Sequence, residues 1–138
     1  MAMQYSVAVR NARLDAVETT IGTSAVLRLR SGAKPANCAA ARTGTIIAEL
    51  SLPSDWMEAA GATTAGEKGK LGTWQDLSAN NGGTIGHFEI LDSTGTTCHV
   101  QGSVTATGGG GDMEVNNAVV TAGQEINVTA FKLIAGNP

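Results

Sequence analysis

The stretch TTCHVQGSVTAT, residues 96–107, alternates small or apolar side chains with polar ones along its whole length. Cys98 and Val100 fall on one side of this alternation, whereas His99 and Gln101 fall on the other. Consecutive side chains of a β-strand point to opposite faces of the sheet. A period of two therefore predicts a strand with one buried, or dry, face and one solvent-exposed, or wet, face. A β-sheet is therefore the expected basis of the fold.

Shorter stretches of the same kind lie on both sides of this strand, and turn residues such as glycine, proline and asparagine separate them. Residues 25–30 alternate two leucines with Arg28 and Arg30, which predicts a half-buried strand. Further strands are predicted at 45–52, 71–78, 84–92, 112–116, 118–121 and 124–134. A helical turn is expected at 54–60 and a mobile surface loop at 61–70.

This spacing of strands predicts a mainly β fold: an antiparallel β-sandwich, jelly-roll-like, with one N-terminal amphipathic helix. A Greek-key barrel would satisfy the same pattern. We expect residues 1–22 to form the helix and residues 23–138 the β-sandwich domain, together making a single structural unit.

The helix is predicted because the apolar period changes to 3.6 in residues 6–22. One face of this helix carries Val7, Leu14, Val17 and Ile21. Ser6 is the expected N-cap, and Gly22 stands where a helix ends with a positive φ. The apolar face has two possible partners, the chain's own β-domain or a second protein.

The composition narrows the class of protein. The chain has 138 residues and a mass of 14.0 kDa, which suits one domain. Its net charge of -3 and sequence pI of about 5.2 disfavour nucleic acid or an anionic membrane as the main partner. No apolar run is long enough for a membrane span, and no signal peptide opens the chain, so we expect a protein made in the cytoplasm.

The two cysteines are Cys38 and Cys98, too few for a disulfide framework and not spaced as zinc ligands. Free, buried thiols are the favoured interpretation for a protein made in a reducing cytoplasm. A Cys38–Cys98 bridge is the alternative.

No catalytic constellation stands out. His99 cannot activate Cys98, because neighbouring strand residues face opposite sides. A hairpin around residues 93–95 that sets Phe88 beside Val100 and Ile90 beside Cys98 would place His87, Glu89 and His99 on one wet face. Such a set suits zinc or nickel, but a solvated polar face with one Glu–His contact is the favoured interpretation, and we predict no metal site.

Two other features have ordinary explanations. Gly108-Gly109-Gly110-Gly111 lacks the Lys-Ser/Thr of a phosphate-binding loop and predicts a flexible hairpin connection. Trp56 and Trp74 suit core packing better than a stacking platform for a sugar or base. No catalytic residue, cofactor-binding residue or cofactor is therefore predicted.

Five segments resemble the small head decoration, or cement, proteins of tailed phages and prophages: residues 4–22, 52–57, 72–76, 95–102 and 108–113. The resemblance implies a non-enzymatic jelly-roll-like domain on the outer surface of the virion capsid. Its partner would be a major capsid protein of the HK97 type, whose neighbouring capsomers it would clamp as a homodimer. Nucleic acid and membrane are not expected partners. A carbohydrate-binding, lectin-like module and a minor tail or receptor-binding component are the alternative functions.

Two parts of the chain are candidates for binding the capsid. The first is the helix, because its apolar face is not assigned to the sheet by the strand pattern. The second is the polar face of the first strand, whose arginines could meet acidic groups, although solvated strand charges are the favoured interpretation. The predicted partner-binding residues are Val7, Arg10, Leu14, Val17, Ile21, Arg28 and Arg30.

Overall fold

The computed structural model describes residues 3–136, and these residues contain nine strands and one helix. A mainly β fold with one N-terminal helix is thereby confirmed. The elements in chain order are α1 (Val7–Ile21), β1 (Val26–Ser31), β2 (Ile46–Ser51), β3 (Glu67–Gly69), β4 (Gln75–Asp76), β5 (Gly83–Leu91), β6 (Cys98–Ala106), β7 (Met113–Val115), β8 (Val119–Val120) and β9 (Ile126–Ile134).

Helix α1 begins and ends at the two predicted residues. The Ser6 side chain accepts a hydrogen bond of 3.2 Å from the N–H of Val9. At the other end, the N–H of Gly22 donates to the carbonyl of Glu18 over 2.8 Å, and Gly22 has a φ of 91°. Glycine adopts a positive φ at little cost, so both boundaries follow from local chemistry.

The strands form one curled sheet in the order β2-β1-β5-β6-β7-β9-β3, with β4 also paired to β9 and β8 to β5. Strands β6 and β7 run parallel, with Val104 beside Met113, while the other strand pairs are antiparallel within residues 3–136. The prediction of a purely antiparallel sheet is therefore wrong. A jelly-roll sandwich of two packed layers is not confirmed.

The parallel pair is possible because residues 107–112 return along β6 in a tight loop instead of the predicted hairpin. Gly108 has a φ of 88° and Gly110 a φ of 80°. A Cβ on Gly111 would lie 2.9 Å from the backbone nitrogen of Thr105, so the returning chain runs directly against β6. Parallel neighbours ordinarily need a crossover of a dozen residues or more, and these glycines allow a shorter one.

Two carboxylates hold this glycine loop. Asp112 accepts hydrogen bonds of 2.9 and 3.0 Å from the backbone N–H and the hydroxyl of Ser103. Glu114 accepts bonds of 3.1 Å from the N–H groups of both Gly108 and Gly110. The loop thus has specific internal bonds, which a flexible connection would lack.

Both outer strands of the sheet are covered by other parts of the chain. The N–H of Glu49 on β2 donates to the carboxylate of Asp76 on β4 over 3.2 Å, and β4 itself pairs with β9. On β3, the carbonyl of Gly69 accepts a 3.0 Å bond from the N–H of Glu58. Covered edges offer little backbone for pairing with another chain.

An aromatic chain runs through the hydrophobic core. The ring centroids of Trp56 and Trp74 lie 6.0 Å apart, and Phe131 lies 5.5 Å from both Trp74 and Phe88. The indole N–H of Trp56 donates to the carbonyl of Gly22 over 2.9 Å, which satisfies its polar group inside the core. Core packing, the favoured interpretation of both tryptophans, is confirmed.

Three local predictions between β2 and β5 are wrong. Residues 54–60 do not form a helical turn, since Met57 makes an antiparallel bridge with Lys70. Residues 61–70 are not loop throughout, because they contain β3, and the predicted strand 71–78 is reduced to the two residues of β4. These strands depend on pairing with β9, which is distant in sequence and leaves no local signal.

Candidate functional site

The N-terminal helix divides into an exposed first part and an anchored second part. Val7 and Val9 are 47% and 44% exposed. Leu14 and Ile21 are buried, and Val17 packs against the core from a partly buried position. The predicted apolar face is thus used mainly within the chain, and its first turn remains open on the surface.

A buried lysine anchors the second part of α1 to β3. Lys68 is only 2% exposed, and its Nζ lies 2.8 Å from Oδ1 of Asp15 and 2.7 Å from Oε2 of Glu18. The Nζ also donates to the carbonyl of Glu58 over 2.7 Å. Burial alone would lower the pKa of Lys68, but its hydrogen bonds to the two carboxylates outweigh burial and raise it. The same bond to Lys68 holds the pKa of Asp15 below its ordinary value.

The polar side of α1 makes further contacts with the end of the chain and the segment before β3. The guanidinium Nε of Arg10 donates to the carbonyl of Ala135 over 2.7 Å. The next residue is Asn11, whose side chain accepts a 3.0 Å bond from the N–H of Gly66. Arg10 is therefore already bonded within the domain.

A second polar cluster lies on the outward positions of β1 and β5. Glu89 is fully buried, and its carboxylate lies 2.9 Å from Nε of Arg30 and 3.2 Å from Nη1 of Arg42. Arg28 approaches it to 3.9 Å and bonds Glu49 at 2.7 Å. Three guanidinium groups thus surround one buried carboxylate, and two of them pair with it at 3.2 Å or less.

The segment of residues 32–44 covers this cluster and turns a predicted wet face into a buried one. The Nδ1 of His87 lies 2.8 Å from the carbonyl of Gly32, so Nδ1 carries the proton. Its Nε2 is buried and has no hydrogen-bond partner among residues 3–136. The expected solvated face at His87 and Glu89 is therefore wrong, because this segment excludes water from both.

The predicted hairpin register is also wrong. Glu89 pairs with Gln101, not His99, and Phe88 pairs with Gly102. The N–H of Asp92 donates to the carbonyl of Thr97 over 3.3 Å, so the connecting turn has four residues, 93–96, instead of the three expected. An irregularity between Ile90 and Leu91 adds one more residue to the offset. The register therefore shifts by two residues.

His99 lies apart from His87. Together with Val100, it lines a shallow cleft against α1. No group of three or more histidine, cysteine or acidic side chains converges as metal ligands within residues 3–136.

A groove of about 830 Å³ lies between the segment before β3 and the glycine loop. Four carboxylates line it: Glu58, Glu67, Asp112 and Glu114. Each already accepts hydrogen bonds or an ion pair from this chain. None of these four carboxylates is therefore without a partner in the chain.

The seven predicted partner-binding residues lie in different surroundings. Val7 is on the open surface, whereas Leu14, Val17 and Ile21 pack inward, and Arg10, Arg28 and Arg30 bond groups of the same chain. Lys68 and Arg42, which organise the two polar clusters, were not identified from the sequence. Arg42 stands alone among alanines, a threonine and a glycine, and Lys68 lies between Glu67 and Gly69, so neither belongs to a periodic pattern.

Comparisons with known proteins give no match: no protein-family model, no curated protein and no solved structure is significantly similar to this chain. Within residues 3–136, the helix is too short and too polar to cross a bilayer.

Proposed function

We propose that this chain is a non-enzymatic capsid decoration protein that binds the outer surface of a phage head. The structural observation that supports the proposal is an exposed apolar segment on a firmly anchored helix. Met3, Val7 and Val9 are exposed at the start of α1, while Lys68 and the core fix the rest of this helix. An apolar segment held on a rigid element is suited to binding a repeated protein surface.

Each contact of this kind is small. At roughly 25 cal/mol per Å² of apolar area removed from water, a few side chains give only a modest affinity per site. A capsid presents the same surface many times, and a homodimer that spans two capsomers would add its two binding energies through effective concentration. Binding to the expanded shell alone would stabilise this shell by mass action.

The alternative of a lectin-like module has less support. Carbohydrate binding commonly uses an exposed aromatic ring as a stacking platform. Trp56 and Trp74 are at most 1% exposed, so neither indole offers such a platform.

The experiment is co-sedimentation of the purified protein with empty, expanded shells of the phage that encodes it. We expect binding by the natural sequence and a loss of at least about tenfold in affinity for Val7→Glu, because a charge replaces buried apolar contact at the interface. Val119→Glu is the matched control, since Val119 is 68% exposed on β8.

Absence of binding by the natural sequence would refute the proposed function. Equal binding by Val7→Glu would leave decoration possible but would move the contact away from α1. Point substitutions are preferable to removal of residues 1–22, which would take Leu14 and Ile21 from the core and leave Lys68 buried without its carboxylates.

A further inference from the structure

The two cysteines are brought together by a turn whose backbone is tightly held. The side-chain oxygen of Asn37 accepts hydrogen bonds of 2.9 Å from the N–H groups of both Ala39 and Ala40. Arg42 reaches back into the same turn, and its Nη2 donates to the carbonyls of Asn37 at 2.8 Å and Cys38 at 3.1 Å. Cys38 therefore sits in a turn fixed on both sides.

The same guanidinium group fixes this turn onto strand β6. Its Nη1 lies 3.4 Å from the sulfur of Cys98 and 3.0 Å from Oε1 of Gln101. The Nε2 of Gln101 donates in turn to the carbonyl of Pro35 over 2.8 Å. Through its two terminal nitrogens, Arg42 thus contacts both the carbonyl of Cys38 and the sulfur of Cys98, which places the two cysteines next to the same guanidinium group. After burial, the nearby Cys38 thiol is the next cause of the raised pKa of Cys98.

Both cysteines are free and only partly buried, so a small oxidant can reach them. We propose that Cys38 and Cys98 are a dithiol pair that closes to an intramolecular disulfide when the protein meets a small-molecule disulfide. The bond would fasten the segment of residues 32–44 to β6, above the buried Glu89. This inference stands on the contacts of Arg42 and is independent of the proposed capsid role.

The reaction is two successive thiol–disulfide exchanges. Burial raises the pKa of Cys98 to about 12, so this thiol is protonated at neutral pH and we assign the first attack to Cys38. Cys38 gives its proton to solvent as its sulfur attacks one sulfur of the oxidant, which releases the other half as a thiolate that takes up a proton. Cys98 then gives its proton to solvent, displaces the second half and forms the Cys38–Cys98 bond. Two protein thiols are oxidised, and one small disulfide is reduced to two thiols.

Proximity is the reason for expecting the intramolecular bond. A disulfide needs a sulfur–sulfur distance of about 2.05 Å. Cys38 and Cys98 contact the same guanidinium group, so the bond requires no large movement of the backbone. Because the two cysteines are held side by side, the Cys98 thiol meets the mixed disulfide on Cys38 at a high effective concentration. The mixed disulfide is therefore short-lived.

The test treats the folded, full-length protein with oxidised glutathione, then denatures it and alkylates the remaining thiols. Intact mass spectrometry should show a product lighter by two hydrogens with no alkylatable thiol, and peptide mapping should join the peptides that contain Cys38 and Cys98. Two alkylated cysteines, two stable glutathione adducts or a disulfide-linked dimer would each overturn the proposal.

Variants distinguish two requirements for closure: the presence of both thiols, and their positioning by Arg42. Cys38→Ser and Cys98→Ser should each stop at a single glutathione adduct or an unreacted thiol. Arg42→Lys should slow closure at least about tenfold, because a lysine cannot make the forked contacts that hold the turn. Arg28→Lys is the matched control, since Arg28 bonds Glu49 at 2.7 Å and approaches Glu89 to 3.9 Å, and its replacement leaves the contacts of Arg42 with the turn in place. Equal closure rates in the two variants would refute the role of Arg42.

Discussion

The Nζ of Lys68 lies 2.7 Å from Oε2 of Glu18, in a place where the lysine is almost completely shielded from water. This contact joins helix α1 to strand β3, which pairs with β9. Asp15 adds a second carboxylate at 2.8 Å. The helix is thereby part of the domain's internal structure.

Replacing Lys68 by alanine should destabilise the protein by about 3 kcal/mol, because it removes a buried ion-pair partner and leaves a void. Lys68→Met fills the same space without a charge and should cost less. Urea unfolding followed by tryptophan fluorescence measures both, with Lys70→Ala as the control for a less buried lysine. An unchanged midpoint for Lys68→Ala would show that the ion pair contributes nothing.

The Lys68–Asp15 ion pair should stabilise the folded protein only between the pKa values of the two groups. Asp15 has a lowered pKa, so its contribution is present above its ordinary value of 3.8 and is lost as pH falls through the lowered value. Lys68 has a raised pKa, so its contribution is present below 10.5 and is lost as pH rises through the raised value. The stability difference between the natural protein and Lys68→Met should therefore be flat at neutral pH and shrink at both extremes. A difference independent of pH would contradict this account.

The buried carboxylate of Glu89 should matter far more than the exposed carboxylate of Glu49, although both accept hydrogen bonds from arginines. Glu89→Gln leaves three guanidinium groups without their central charge and should cost about 3–5 kcal/mol. Glu49→Gln breaks one contact at the surface and should cost less than about 1 kcal/mol. Chemical denaturation of the two variants makes the comparison, and similar losses would mean that burial of Glu89 is not decisive.

Gly86 is required by a close approach of two backbones. A Cβ at this position would fall onto the carbonyl group of Gly32, at the start of the segment that covers β5. Gly86→Ala should therefore destabilise the protein by about 1–3 kcal/mol, since backbone cannot move as readily as a side chain. Gly136→Ala, where a Cβ would meet nothing within 4 Å, should be close to neutral. Equal melting temperatures for the two variants would contradict the packing described here.

The elements predicted correctly are those whose signals are local. The cap at Ser6, the positive φ at Gly22 and the alternation along β1 and β6 depend on neighbours in sequence. The parallel pairing of β6 with β7 could not be predicted, because four glycines in a row fit a hairpin and a tight return equally well. The two are distinguished by the pairing of Val104 with Met113 and by the close approach of Gly111 to Thr105, which only the folded chain shows.

The candidate site was harder to predict than the strands. His87 and Glu89 were correctly identified as polar residues on one face of β5, but nothing nearby in sequence indicates that residues 32–44 bury this face. The anchor at Lys68 depends on Asp15 and Glu18, which are some fifty residues earlier in the chain. Such long-range polar contacts are specified by tertiary packing, which periodicity does not report.

We propose that this chain decorates a phage capsid throughout its lattice, and its copy number in the virion is the most direct test of that proposal. The measurement is the ratio of this chain to the major capsid protein in purified virions, obtained by quantitative mass spectrometry. A decorating protein should give roughly one copy per capsid subunit, since every equivalent position on the shell offers the same site. A handful of copies per particle would indicate a tail or receptor-binding component, and absence from the virion would contradict the account altogether.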